Sequence, residues 1–146
     1  MIKIGNSVSN ISVYTCQPKD KDELREIIED HIYEEGPNCD LNDIDTSLIT
    51  DMSYLFDDSY DDSYFNGDIS RWNTSNVTDM TGMFYKAKFN GDISNWDVSN
   101  VKDVWGMFSY SKFTGDISKW NVCNAKNVCY MFIGCPIKEE HKPRKQ

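Results

Sequence analysis

Apolar residues recur along this chain in a fixed order, Phe65, Ile69, Trp72, Val77, Met80, Met83 and Phe84, with polar residues filling the gaps. The order returns from Phe89 to Phe108 and again from Phe113 to Phe132, so the period is 24 residues. Trp72, Trp96 and Trp120 keep that spacing, as do Ile69, Ile93 and Ile117. A degenerate earlier copy, Asp40 to Phe56, aligns at a shift of 28 residues, the extra four lying in one insert, Asp57 to Tyr64. A single period cannot bury its Trp, Met and Phe, whereas stacked periods share one continuous core.

Within a period, Ile69, Trp72 and position 74 follow the I-x-x-W-x-V rhythm of a leucine-rich-repeat strand segment, and Val77, Met80, Met83 and Phe84 recur at helical offsets. The pattern predicts a repeat solenoid of leucine-rich-repeat-like β/α architecture, with a short strand and a short helix or 3₁₀ turn in each of four repeats over residues 38–136. Ahead of it, Ile11-Ser-Val-Tyr14 alternates like a strand, and Asp20-Lys-Asp-Glu23 has capping-box spacing. Leu24, Ile27, Ile28 and Ile32 share one face of the helix that follows, and Gly36-Pro37 ends it. Residues 1–37 are thus expected to be a strand and helix cap, and residues 137–146 a flexible basic tail, all within one domain.

The repeated string F-N-G-D-I-S-x-W-x-V-S-N-V-x-D-M-x-x-M-F resembles the BspA-type leucine-rich-repeat family of bacterial surface proteins, over roughly residues 40 to 136. The resemblance implies a β-solenoid that binds other macromolecules, with adhesion the usual proposal for surface members. Small relatives without an anchor would be adaptors, or inhibitors carried by phage or mobile elements.

Composition narrows the partner. With 24 acidic against 15 basic residues in 146, the net charge is −9, which disfavours direct contact with nucleic acid phosphates and favours a basic protein surface. No apolar stretch approaches the roughly 18 residues of a membrane span, and the start shows no signal segment. Five cysteines without a CxxC pair point to reduced thiols, so a cytoplasmic location is expected.

Several constellations invite chemistry. The tryptophan column could stack sugars or bases, but its inward strand positions favour core packing. Asp40, Asp68, Asp92 and Asp116 could share a cation, yet the Asn or Ser two residues after each suits turn capping. Cys123, Cys129, Cys135 and His141 match no zinc-site spacing, so no metal and no cofactor is expected. Catalytic strings are missing, and the chain reads as non-enzymatic.

Two surfaces remain as binding candidates. The insert, with Asp57, Asp58, Tyr60, Asp61, Asp62 and Tyr64, breaks the period and joins acidic with aromatic side chains. The outward strand positions form two columns, Asp43, Arg71, Asn95 and Lys119, and Asp45, Asn73, Asp97 and Asn121. The expected function is protein binding. The alternatives are an inhibitor, such as an anti-CRISPR, that fills the basic groove of a nucleic-acid enzyme, and a fragment of a surface adhesin. Self-association at the thinly capped C-terminal end is also expected.

Overall fold

The computed structural model describes residues 14–59 and 64–144. Its one α-helix among these, α1 (Lys21–Glu35), begins where Asp20 accepts the Glu23 amide and ends at Gly36, whose φ of 91° lets its N–H return to the Ile32 carbonyl. The capping carboxylate Glu23 reaches back to the amide of Lys19 at 2.9 Å. Leu24 and Ile28 bury completely or nearly so, while the acidic face of α1 stays in solvent. The strand expected at Ile11–Tyr14 lies almost wholly outside the described residues.

The leucine-rich-repeat β/α solenoid is not what this chain forms. Among the described residues there is no strand and no sheet, only isolated parallel bridges such as Asp51 with Asp79, Asp79 with Asp103 and Asp103 with Lys126. Nor does a helix follow in each period; two short 3₁₀ turns, Val128–Tyr130 and Glu139–His141, occur near the C-terminal end. The physical reason is turn chemistry. Asp68, Asn73 and Asp79 each accept the amide two residues on, from Ser70, Ser75 and Thr81. Tight bonds such as Val77 N–H to Thr74 O and Ala87 N–H to Phe84 O use further donors locally. These bonds fold the chain at every few residues, so no run long enough for a ladder stays extended.

What does repeat is bonding from one period to the next. The amides of Met80, Gly82, Phe84 and Lys86 donate to the carbonyls of Asp103, Trp105, Met107 and Ser109, at 2.8 to 2.9 Å. Asn76, Asn100 and Asn124 extend their side-chain amides to the carbonyls of Ser47, Ser75 and Ser99. Inside, rings pile up in files. Phe56, Phe84, Phe108 and Phe132 stack at 5.4 to 5.7 Å, and Trp72, Trp96 and Trp120 at 6.3 to 6.4 Å. The three tryptophans are 4% exposed, and each indole N–H donates to a carbonyl of the preceding period. Their column is core, and unavailable as a stacking platform.

Glycine is required where coils touch. A Cβ at Gly67 would come 1.9 Å from the Cys39 carbonyl, and one at Gly82, where φ is 57°, would come 2.3 Å from the Tyr54 ring. At the last coil, Ile117 N–H donates to His141 O, and Ile137 is buried against the core.

Candidate functional site

Helix α1 is fastened to the first coil at both ends. Near its start, Lys21 Nζ lies 2.9 Å from Ser53 Oγ and 3.2 Å from Asp51. Near its end, His31 bonds the Ile27 carbonyl at 2.8 Å and approaches Asp43 at 3.4 Å. Beside α1, facing coils that follow, opens a groove of about 770 Å³. Its floor is apolar, from Ile28, Ile32, Leu55, Phe56 and Phe65. The walls carry three more aromatic side chains, Tyr54, Tyr85 and Trp105, and four charged ones, Arg25, Glu29, Asp57 and Asp58. Tyr54 is 42% and Trp105 46% exposed, so both offer ring surface to solvent.

The groove sits in the acidic part of the chain. Sixteen of the 24 acidic residues, but four of the 15 basic ones, precede residue 67. Within the insert, Asp57 Oδ1 accepts both the amide and the hydroxyl of Ser59, and Asp58 Oδ2 accepts the Lys88 amide at 3.1 Å. Both carboxylates therefore have fixed positions in the wall. Tyr64 stands apart from the groove, with Lys88 Nζ 3.6 Å above its ring. Tyr60, Asp61 and Asp62 lie outside the described residues.

The two outward columns resolve differently. Asp45, Asn73, Asp97 and Asn121 cap turns by accepting the amides of Ser47, Ser75, Ser99 and Cys123, which accounts for their residue types. Asp43 is taken up by Thr15, at 2.6 Å, and by His31, leaving Arg71, Asn95 and Lys119 exposed in the other column. These columns do not line the groove.

Electrostatics follow from these contacts. Hydrogen bonds from Ser94, Ser99 and Ser118 hold the carboxyls of Asp92, Asp97 and Asp116 below the ordinary range. Partial burial opposes ionisation of Asp43, but bonds from Thr15 and His31 outweigh it and lower its pKa. For His31, burial works against protonation, and the Ile27 carbonyl and Asp43 overcome it, so its pKa is raised. Burial pushes the Cys39 thiol up. Among the described residues, no group of three or more His, Cys, Asp or Glu side chains comes together in a way that could hold a metal ion.

Sequence reasoning reached Asp57 and Asp58 and missed Arg25, Glu29, Tyr54, Tyr85 and Trp105. A signal was there in the repeat itself. Trp105 stands where other periods have Ser53, Thr81 and Cys129; Tyr85 replaces Asp57, Ser109 and Ile133; Tyr54 occupies the place of Gly82 and Gly106, which the last period fills with Tyr130. Each is a large ring at a position the fold does not need for stacking.

The sequence profile of the family described as Mycoplasma protein of unknown function, DUF285, matches residues 27–142. The chain belongs to that family. Neither the curated proteins nor the solved structures contain a match to it. None of the helices among the described residues is long and apolar enough to cross a membrane.

Proposed function

We propose that the chain is a non-enzymatic module that binds a basic surface of another protein through the groove beside α1. The observation that carries this reading is the pairing of half-exposed rings, Tyr54 and Trp105, with the carboxylates of Glu29, Asp57 and Asp58 on one concave surface. Aromatic side chains supply area that is buried on contact, and like-signed carboxylates around them speed encounter with a positive partner. The likeness of the repeats to BspA-type proteins supports macromolecular binding as the class of function. An odd number of cysteines supports a cytoplasmic setting. In its narrower form, the partner is a nucleic-acid enzyme whose basic cleft is occupied.

The test is comparative capture. Immobilised wild-type chain, and a chain carrying Trp105→Leu with Glu29→Gln, are exposed to the same lysate at 50 mM and 500 mM salt. A basic protein retained by the wild type at low salt, released at high salt and not retained by the variant supports the reading. Equal retention by both chains overturns it and moves the contact to Arg71, Asn95 and Lys119. An enriched nuclease or polymerase would select the narrower form.

A further inference from the structure

We propose that the groove is an arginine-accepting site, in which the guanidinium of an extended basic segment of the partner lies against Trp105 and Tyr54 and bonds the carboxylates of Asp57 and Glu29. This deepens the protein-binding reading and rests on it.

Three observations converge. First, the rings on this side of the molecule already attract cations: Lys86 Nζ lies 5.3 Å from the Tyr85 ring, and just beyond the groove Lys88 Nζ lies 3.6 Å from that of Tyr64. Trp, the strongest aromatic partner for a cation, is half exposed here at Trp105, whereas Trp72, Trp96 and Trp120 are buried. Second, acceptors stand beside the rings. Asp57 uses Oδ1 for Ser59, which keeps Oδ2 as an acceptor, and Glu29 is exposed on α1 without an ion pair among the described residues. Arg25, the groove's own cation, is outnumbered by Glu29, Asp57 and Asp58. Third, at about 770 Å³ the groove has room for a long side chain and the backbone that delivers it.

Arginine fits these walls better than lysine. Its planar guanidinium stacks on a ring and forks to a carboxylate at the same time, whereas an ammonium is a compact, strongly hydrated point charge without that planar fork.

The three buried tryptophans make the assay specific, because acrylamide reaches Trp105 first. Three labelled nonapeptides, of arginine, lysine and citrulline, are titrated into the full chain, following anisotropy and acrylamide quenching. The arginine peptide should protect Trp105 and bind about tenfold tighter than the lysine peptide, and citrulline should not bind. Trp105→Leu, and separately Glu29→Gln with Asp57→Asn, should each weaken the arginine peptide about tenfold. Glu29 and Trp105 are exposed, so the fold survives their replacement, and unchanged circular dichroism checks this. Equal binding of arginine and lysine peptides, protection by citrulline, or indifference of both variants overturns the proposal. Should the captured protein bind wild type while the arginine peptide does not, the arginine site fails and protein binding stands. If Trp105→Leu with Glu29→Gln also retains that protein, the groove reading fails with it.

Discussion

Phe84 is the best single probe of how the periods hold together. It is fully buried, with near-parallel rings at 5.7 Å (Phe56), 4.7 Å (Phe89) and 5.4 Å (Phe108), and Trp96 tilted at 6.2 Å. Phe84→Ala would remove about 3–5 kcal/mol, a large part of the roughly 5–15 kcal/mol that stabilises a domain. Phe84→Leu is the more readable change, because it retains most of the apolar volume and deletes the ring contacts. Three parallel neighbours at roughly 0.5–1.5 kcal/mol each, less what leucine's own packing restores, give an expected loss of about 2 kcal/mol. Phe132, at the end of the same file, is half-buried and has one parallel neighbour, Phe108 at 5.7 Å. Phe132→Leu should therefore cost well under about 1 kcal/mol. Urea unfolding followed by tryptophan emission measures both. With a slope of about 1.5 kcal/mol per molar, the Phe84 midpoint should fall by about 1.3 M and the Phe132 midpoint by less than half of that. Equal shifts would refute the reasoning, since they would mean that position in the file, and hence stacking between periods, does not matter.

The carboxyls of Asp68, Asp92, Asp97 and Asp116 are lowered, so they stabilise the fold above their unfolded value of about 3.9, and that contribution is lost as pH falls through the lowered values. Changing all four to Asn, which caps the same turn at Asn73 and Asn121, should flatten acid unfolding and leave stability at pH 7 nearly unchanged, as read by urea titration from pH 2 to 7. For His31 the sign reverses: its raised pKa gives stability that is complete below about 6.5 and declines as pH rises through the folded value. His31→Asn should remove the stability difference between pH 6 and pH 8; Asp43 and Glu35 are the acids acting on that ring, and a difference that persists in the variant would assign it elsewhere. Excision of Phe89 to Lys112, one full period, should leave a folded, less stable chain, because Thr114 can then donate to Asn66 as Asn90 does now. Excision of Phe89 to Asn100 should abolish cooperative unfolding, since it takes every stacking residue out of step.

The regular part of the molecule was legible in the spacing of large residues. Trp72, Trp96 and Trp120 had to be buried together, and Asp20 and Gly36 mark the ends of α1 because capping is a local property. The lack of strands among the described residues was not legible, because the I-x-x-W-x-V rhythm suggested them. Whether Asp68, Asn73 and Asp79 bend the backbone or leave it extended depends on who receives each amide, and periodicity of side chains does not encode that. The same local chemistry accounts for the residue types at Asp45, Asn73, Asp97 and Asn121, each of which caps a turn. The groove was hidden for a different reason. Its residues come from α1, from residues 54–59, and from Tyr85 and Trp105, and only the stacking register brings them onto one surface.

Tyr54 shows how a departure from the repeat separates binding from folding. It sits at φ 56°, in the left-handed region, where two of the three equivalent positions carry Gly82 and Gly106 at 57° and 63° and the third carries Tyr130. A side chain there costs roughly 1–2 kcal/mol relative to glycine. The tyrosine recovers part of this by laying its ring over Gly82, but it remains 42% exposed, so the recovery is incomplete. Tyr110, at φ 58°, lays its ring over Gly134 in the same way, so ring-over-glycine packing belongs to the fold, and the exposed part of the Tyr54 ring is what the proposed partner would contact. Tyr54→Gly tests this directly: relief of strain and loss of ring contact should nearly cancel, leaving stability within about 1 kcal/mol of wild type. Affinity for the arginine peptide should fall about tenfold, because one of the groove's two half-exposed rings is gone. A variant that unfolds at markedly lower urea while binding as before would make Tyr54 a structural residue, and its exposure in the groove incidental.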